Sequence, residues 1–207
     1  MNEHLKNNRV KLVGDIASKY EYSHEVFGEK FYRIMLQVNR KSEAKDIIPV
    51  IVSERFYERG NHIGKKVVVH GQLRSFNKME EGRTRLVLSV FARDICFAEP
   101  EEEHYNSIIL DGYIVKQPTY RLTPQEKEIT DLLLAVNRQY GKSDYIPTIC
   151  WGRNAKWAGN LNVGTRLEVH GRIQSREYQK LVGQDQFETR VCYEVSIGKM
   201  SLFGEKE

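Results

Sequence analysis

Five side chains in the second half of the chain have the chemistry to hold an unpaired polynucleotide: Tyr145, Trp151, Arg172, Arg176 and Tyr178. Rings stack on bases and guanidinium groups neutralise phosphates, and neither contact depends strongly on base identity. All five lie in Asp144 to Tyr178, which reads DYIPTICWGRNAKWAGNLNVGTRLEVHGRIQSREY. Residues two apart in a strand share a face, so Tyr145, Ile149 and Trp151 point one way. Arg172, Gln174, Arg176 and Tyr178 likewise share a face, opposite the apolar Leu167, Val169 and Ile173. Two neighbouring strands of this kind present rings and cations on one surface. The plain alternative for Tyr145 and Trp151 is a core or interface role, because Ile146 and Cys150 on the other parity are also apolar. For Arg172 and Arg176 it is a solvated strand face.

Other chemistry-bearing residues are weaker candidates. Tyr113 follows Gly112 in a strand, and Tyr120 and Arg121 lie in the loop PTYRLTP (Pro118 to Pro124); these are expected as secondary contacts. Trp157 falls inside a short helix, four residues before Leu161, a spacing that points to the core. His70 and His170 each precede a strand glycine without further ligands nearby, so no metal site is expected. The cysteines, Cys96, Cys150 and Cys192, are scattered and form no CxxC, which argues against zinc and against a disulfide framework. No phosphate-cradling glycine loop, G-x-S-x-G or HExxH occurs. The carboxylates are dispersed among Lys and Arg with no recurrent pair, so catalysis is not expected and no cofactor is implied.

The elements that must position these side chains are short and β-rich. Val10 to Ile16 reads as a strand bent at Gly14. A polar loop from Ser18 to Lys30 follows, then strands at Phe31 to Asn39 and Ile47 to Val52, the second demoted to an edge or bulged strand by Pro49. Ser53 to Ile63 has helical character, closed by Gly64. Lys66 to Phe76 and Thr84 to Phe97 complete the unit. The same order then recurs: Gly14 and Gly112 are 98 apart, as are Val38 and Val136, Asn39 and Asn137, Arg40 and Arg138, Ile48 and Ile146, and Pro49 and Pro147. After a two-residue insertion, His70-Gly71 is matched by His170-Gly171. Matches held in register over such a span indicate a duplication, and the period is too long for a solenoid. The expected architecture is all-β: two tandem five-stranded OB-fold barrels, each with a short helix between strands 3 and 4. The expected units are 1–98 and 107–207, joined by an acidic linker over 99–106.

The 207 residues suit one or two domains, and 40% hydrophobic content with both charge signs abundant is ordinary for a globular protein. The formal net charge of +4 permits a polyanionic partner. Residues 1–98 carry 18 Lys and Arg against 12 Asp and Glu, whereas residues 105–207 carry 14 against 12. The N-terminal run MNEHLKNNRV lacks the apolar core of a signal peptide, and no apolar run approaches membrane-spanning length. A cytoplasmic protein with no membrane partner is therefore expected.

LLLAVNR (Leu132 to Arg138), DYIPTICWGR (Asp144 to Arg153) and LEVHGRIQSREY (Leu167 to Tyr178), preceded by the Pro118 to Pro124 loop, together resemble the bacterial single-stranded-DNA-binding protein family. The resemblance covers about Ser107 to Phe203 well and Arg9 to Phe97 more faintly. It implies base stacking on Tyr145, Trp151 and Tyr178, phosphate contacts from Arg172 and Arg176, and roles in DNA replication, repair or recombination. It also implies that four OB-folds act together, hence a homodimer of this chain. The family's usual acidic tail, which recruits other replication proteins, has no match in SLFGEKE, so partners held through such a tail are not expected. At the positions of Tyr145, Trp151 and Tyr178 the first unit has Ile47, Ser53 and Lys78. Its platform is missing or rebuilt from Phe76 and the loop aromatics, with Arg74, Phe76 and Lys78 on one strand parity available to a phosphate backbone. The other readings are an OB scaffold that docks proteins and a binder of single-stranded RNA, since stacking and charge do not tell ribose from deoxyribose.

Overall fold

A computed structural model describes residues 7–56, 60–80, 82–99, 101–183 and 186–203. Six strands form the first half: β1 (Asn8–Ile16), β2 (Glu21–Val26), β3 (Glu29–Asn39), β4 (Lys45–Ser53), β5 (Lys66–Glu80) and β6 (Arg83–Phe97). Six more form the second: β7 (Tyr105–Ile114), β8 (Thr119–Leu122), β9 (Glu128–Asn137), β10 (Ser143–Trp151), β11 (Arg166–Gly183) and β12 (Gln186–Leu202), with helix α1 (Arg153–Gly159) between β10 and β11.

Each half closes on itself by the same pairings. In the first, β1 pairs with β5 (Leu12 opposite Val69) and, beyond Gly14, with β3 (Asp15 opposite Gln37). The ring continues through β3–β4 and β5–β6 and is sealed by a parallel contact of β4 with β6, Val50 opposite Val90. In the second, β7 meets β11 and β9, and Thr148 of β10 lies parallel to Val195 of β12. Five-stranded barrels of this kind, β1 and β3 to β6 in one half and β7 and β9 to β12 in the other, are OB-folds. The fold is all-β, as expected.

Pro49 illustrates how sequence and topology agree. It lies in a strand with a neighbour on each side, yet pairing with β6 begins only at Val50. The backbone groups of its partner Met35 are turned toward Ala17 and Ser18, so the edge where Pro49 has no N–H is the edge still unpaired at that point. Pro147 repeats this before Thr148. Gly71 and Gly171 sit where β5 and β11 cross their partners at a bulge. A Cβ on either would stand 2.3 Å from a carbonyl oxygen, that of Phe91 or of Ser196.

Three features depart from the expectation. Each half has a sixth strand, β2 or β8, in a segment read as a polar loop. Every residue of both is exposed, so neither carries the alternation that marks a half-buried strand. The expected helix over Ser53 to Ile63 shows one turn of 3-10 helix at Glu54–Phe56, and residues 57–59 lie outside the described residues. So do residues 1–6 and 204–207, on which the readings of the two chain ends rest. Tyr105 and Asn106, read as the end of the linker, open β7. No helix of the described residues is long and apolar enough to cross a membrane.

The barrels are joined edge to edge. β1 and β7 pair antiparallel from Asn8–Leu110 to Val13–Tyr105, and the pair Val10–Ile108 links positions 98 apart, which marks a local two-fold axis. Val10, Leu12, Ile108 and Leu110 are buried along this seam in a core that runs through both barrels. Each such side chain contributes roughly 1.5–3 kcal/mol of burial. Asn8 and Asn106, also 98 apart, repeat one motif. Asn8 donates to the Leu73 carbonyl at 2.7 Å and accepts the Leu73 N–H at 2.9 Å, and Asn106 does the same with Ile173 at the same distances.

Candidate nucleic-acid interface

The repeated arginines and aspartates lock the two barrels together. Arg40 holds the buried Asp46, and that carboxylate accepts the Ser175 N–H of the other barrel at 2.9 Å. The mirror set is Arg138 on Asp144, with Asp144 accepting the Ser75 N–H and Ser75 Oγ accepting the Tyr145 N–H at 2.8 Å. Arg74 adds a bridge to Asp144 at 3.1 Å, and Arg172 approaches Asp46 at 3.6 Å. Burial in this joint pulls the Arg74 and Arg172 guanidinium groups below their ordinary pKa. These two arginines, read from the sequence as phosphate contacts on an open face, are thus half-buried members of the inter-barrel joint.

On the second barrel, Tyr145 and Trp151 project outward from β10, 47% and 39% exposed, while Ile146 and Cys150 on the other parity are fully buried. Trp151 Nε1 donates to Ser196 Oγ at 3.3 Å, which fixes one edge of the partly exposed ring. Trp157, expected in the core, is 41% exposed; α1 buries Ala155 and Ala158 instead. Arg176 is exposed, 3.7 Å from Glu194, and Arg121 on β8 is bound to Asp131 at 2.6 Å, a hydrogen bond that raises its pKa. Lys156 reaches Glu128 at 2.9 Å, and this contact lowers the Glu128 pKa. Tyr113 lies elsewhere, beside an Arg166 guanidinium that also stacks on Phe203 at 3.4 Å.

A large groove of about 1270 Å³ crosses the boundary between the barrels. Arg33, Arg74, Lys78, Arg85 and Arg93 of the first barrel line it together with Arg138 and Lys142 of the second. Rings come from both sides: Tyr22, Phe76 and Phe91 from one, Tyr140, Tyr178 and Tyr193 from the other. Among the described residues no Asp or Glu lines it. Tyr178 lines the groove together with Arg74, Phe76 and Lys78, and Tyr145 and Trp151 are not among its lining residues. Phe76 is 50% exposed, and burial raises the Tyr193 pKa. Pro147 lines the groove and lies on the same parity of β10 as Tyr145 and Trp151, with Ile149 buried between Pro147 and Trp151.

Several groove residues escape a reading by strand faces alone. Tyr140, Lys142 and Arg138 come from one connection, and Tyr193 and Arg93 from final strands whose partners are long-range. The repeat does carry one signal: Tyr22 and Tyr120 are 98 apart and meet Tyr32 and Thr130, also 98 apart, across matching hairpins.

Fold and surface define a tandem OB-fold protein whose joined barrels share a face of rings and cations. A sequence profile described as Single-strand binding protein family matches residues 105–201. The chain is 32% identical over 93 residues to the single-stranded DNA-binding protein of Clostridium tetani, a match taking in 42% of this chain and 64% of that protein, just under two thirds of its length. Single-stranded DNA-binding protein 2 of Streptococcus agalactiae is 32% identical over 94 residues, covering 42% of this chain and 71% of its own length. The wild-type single-stranded DNA binding protein of Thermus aquaticus superposes with a TM-score of 0.74 at 22% identity, covering 97% of this chain and 94% of that one, a likeness of fold over both barrels. The chain belongs to the single-strand binding protein family.

Proposed function

We propose that this chain binds single-stranded DNA with little sequence preference, in DNA replication, repair or recombination. The observation that supports the reading best is the groove of rings and cations, which no described Asp or Glu lines, together with the outward Tyr145 and Trp151 of β10, the strand whose Pro147 lines that groove. Single-strand binders combine a positive track for the backbone with rings on which bases stack, and for this class of protein stacking is generally worth about 1–3 kcal/mol per base. Arg74 and Lys78 supply charge in the groove, Arg121 and Arg176 are cations held beside carboxylates on the second barrel, Arg172 stays in the joint on Asp46, and Tyr178, Phe76, Tyr145 and Trp151 supply rings. Tyr113 does not line the groove and is left as a peripheral contact. The protein acts as a binder in the cytoplasm, without cofactor or catalysis. Two chains pair to bring four barrels to one strand; sedimentation at the mass of two chains supports the pairing and a strict monomer contradicts it.

The test is fluorescence anisotropy of labelled oligo(dT), with unlabelled RNA and duplex DNA of equal length as competitors. Single-stranded DNA should compete well and duplex poorly, because bases already stacked in a duplex cannot reach the rings. Duplex competing equally would contradict the reading, and RNA competing better would replace DNA as the ligand. In the same samples oligo(dT) should quench tryptophan emission, and Trp151→Phe should remove most of that quenching.

A further inference from the structure

We infer that the two parts of this surface hold one strand by different means: the groove grips its phosphates, while the Tyr145–Trp151 face holds its bases with little net charge of its own. The inference rests on the single-strand reading above and deepens it.

Several positions related by the duplication differ in charge between the two barrels. Arg33 stands opposite Ile51 and is paired with Glu21 at 2.6 Å in the first barrel, whereas Asp131 stands opposite Ile149 and is paired with Arg121 at 2.6 Å in the second. Ser89 faces Arg74, whereas its counterpart Glu194 faces Gln174. Arg93 occupies the bulge across from Gly71, and Gly198 occupies the same bulge across from Gly171. In exchange, the rings Tyr145 and Trp151 stand where the first barrel has Ile47 and Ser53.

The local consequence is a difference in free positive charge. On the second barrel, Arg121, Arg176 and Lys156 each have a carboxylate beside them, at 2.6, 3.7 and 2.9 Å. In the groove, Arg33 is paired with Glu21 at 2.6 Å, but Arg74 and Arg138 share the one carboxylate of Asp144. Arg93 is held at 2.8 Å by Gln72 Oε1, a neutral acceptor that orients the guanidinium without cancelling its charge. A phosphate entering the groove displaces condensed counterions, and affinity there falls steeply as salt rises. A base stacking on Tyr145 or Trp151 displaces none.

The experiment is oligo(dT) affinity as a function of salt for the full chain. The slope of log affinity against log salt should flatten by about 1.4 in Arg93→Ala/Lys142→Ala, near 0.7 for each phosphate left without its cation on a single strand. Tyr145→Ala/Trp151→Ala should weaken binding at every salt concentration and keep the wild-type slope. Arg121→Ala/Arg176→Ala should flatten the slope by less than half as much as the groove pair. A wild-type slope in the groove pair, or an equal or larger flattening in the Arg121/Arg176 pair, overturns the inference alone, provided circular dichroism shows each variant folded. A wild-type chain that binds no oligo(dT) at low salt overturns the single-strand reading and this inference with it.

Discussion

Asp46 in the first barrel accepts the backbone N–H of Ser175 in the second at 2.9 Å, and its counterpart Asp144 accepts that of Ser75 in the opposite direction. The two contacts are related by the axis through Val10 and Ile108, so the duplication encodes its own joint. Each carboxylate is fully buried and held by arginine. The barrels are thereby fixed in the relative position that creates the shared groove.

Removing either carboxylate should therefore cost far more than a surface ion pair. Asp46→Ala or Asp144→Ala leaves a half-buried guanidinium and a backbone N–H without their partner, a change typically worth about 3–5 kcal/mol. Calorimetry should show the loss in either variant. A cost below about 1 kcal/mol would mean that the joint does not depend on these groups.

Gly71→Ala and Gly171→Ala should each destabilise by at least about 1–3 kcal/mol, because the new methyl group meets a carbonyl oxygen of the adjacent strand and neither side can move freely. Gly198→Ala provides the contrast. Its Cβ would lie 3.6 Å from the His170 carbonyl oxygen, an ordinary contact, so its effect should stay within about 0.5 kcal/mol. Denaturant titration separates the cases, and equal effects at all three positions would refute the steric account.

The thiols should differ in reactivity. Burial pushes Cys150 from its ordinary 9.0 up to about 12, so it remains a protonated, inaccessible thiol at pH 8, whereas Cys96 is exposed. A disulfide reagent should modify Cys96 quickly and Cys150 only on unfolding. Because the folded state keeps this proton more tightly than the unfolded state, the contribution of Cys150 to stability is fully present below pH 9 and declines as pH climbs toward about 12. Fast modification of Cys150 in the native protein would contradict its place in the core.

The duplication is legible in the sequence because the residues that repeat are those with the least freedom: Gly14 and Gly71 at close approaches, Pro49 where an edge is unpaired, Arg40 in the joint. Barrel strands are equally legible, since burial on one face enforces alternation. What resists a linear reading is whatever depends on the joint. Arg74 and Arg172 have the spacing of open-face cations, and only the other barrel's Asp144 and Asp46 reveal their second role. Tyr178 reads as part of a platform with Tyr145 and Trp151, yet long β-hairpins carry it across the boundary to the groove. The exposed hairpin strands β2 and β8 leave no hydrophobic period to detect.

The central claim is that one strand of DNA lies along the surface shared by both barrels. Ultraviolet cross-linking of oligo(dT) to the full chain, with the modified peptides identified by mass spectrometry, tests it most directly. The expected sites are Phe76 of the first barrel and Tyr145, Trp151, Tyr178 and Tyr193 of the second. Cross-links confined to a single barrel, or falling outside the groove at Tyr113 and Phe203 beside Arg166, would contradict it.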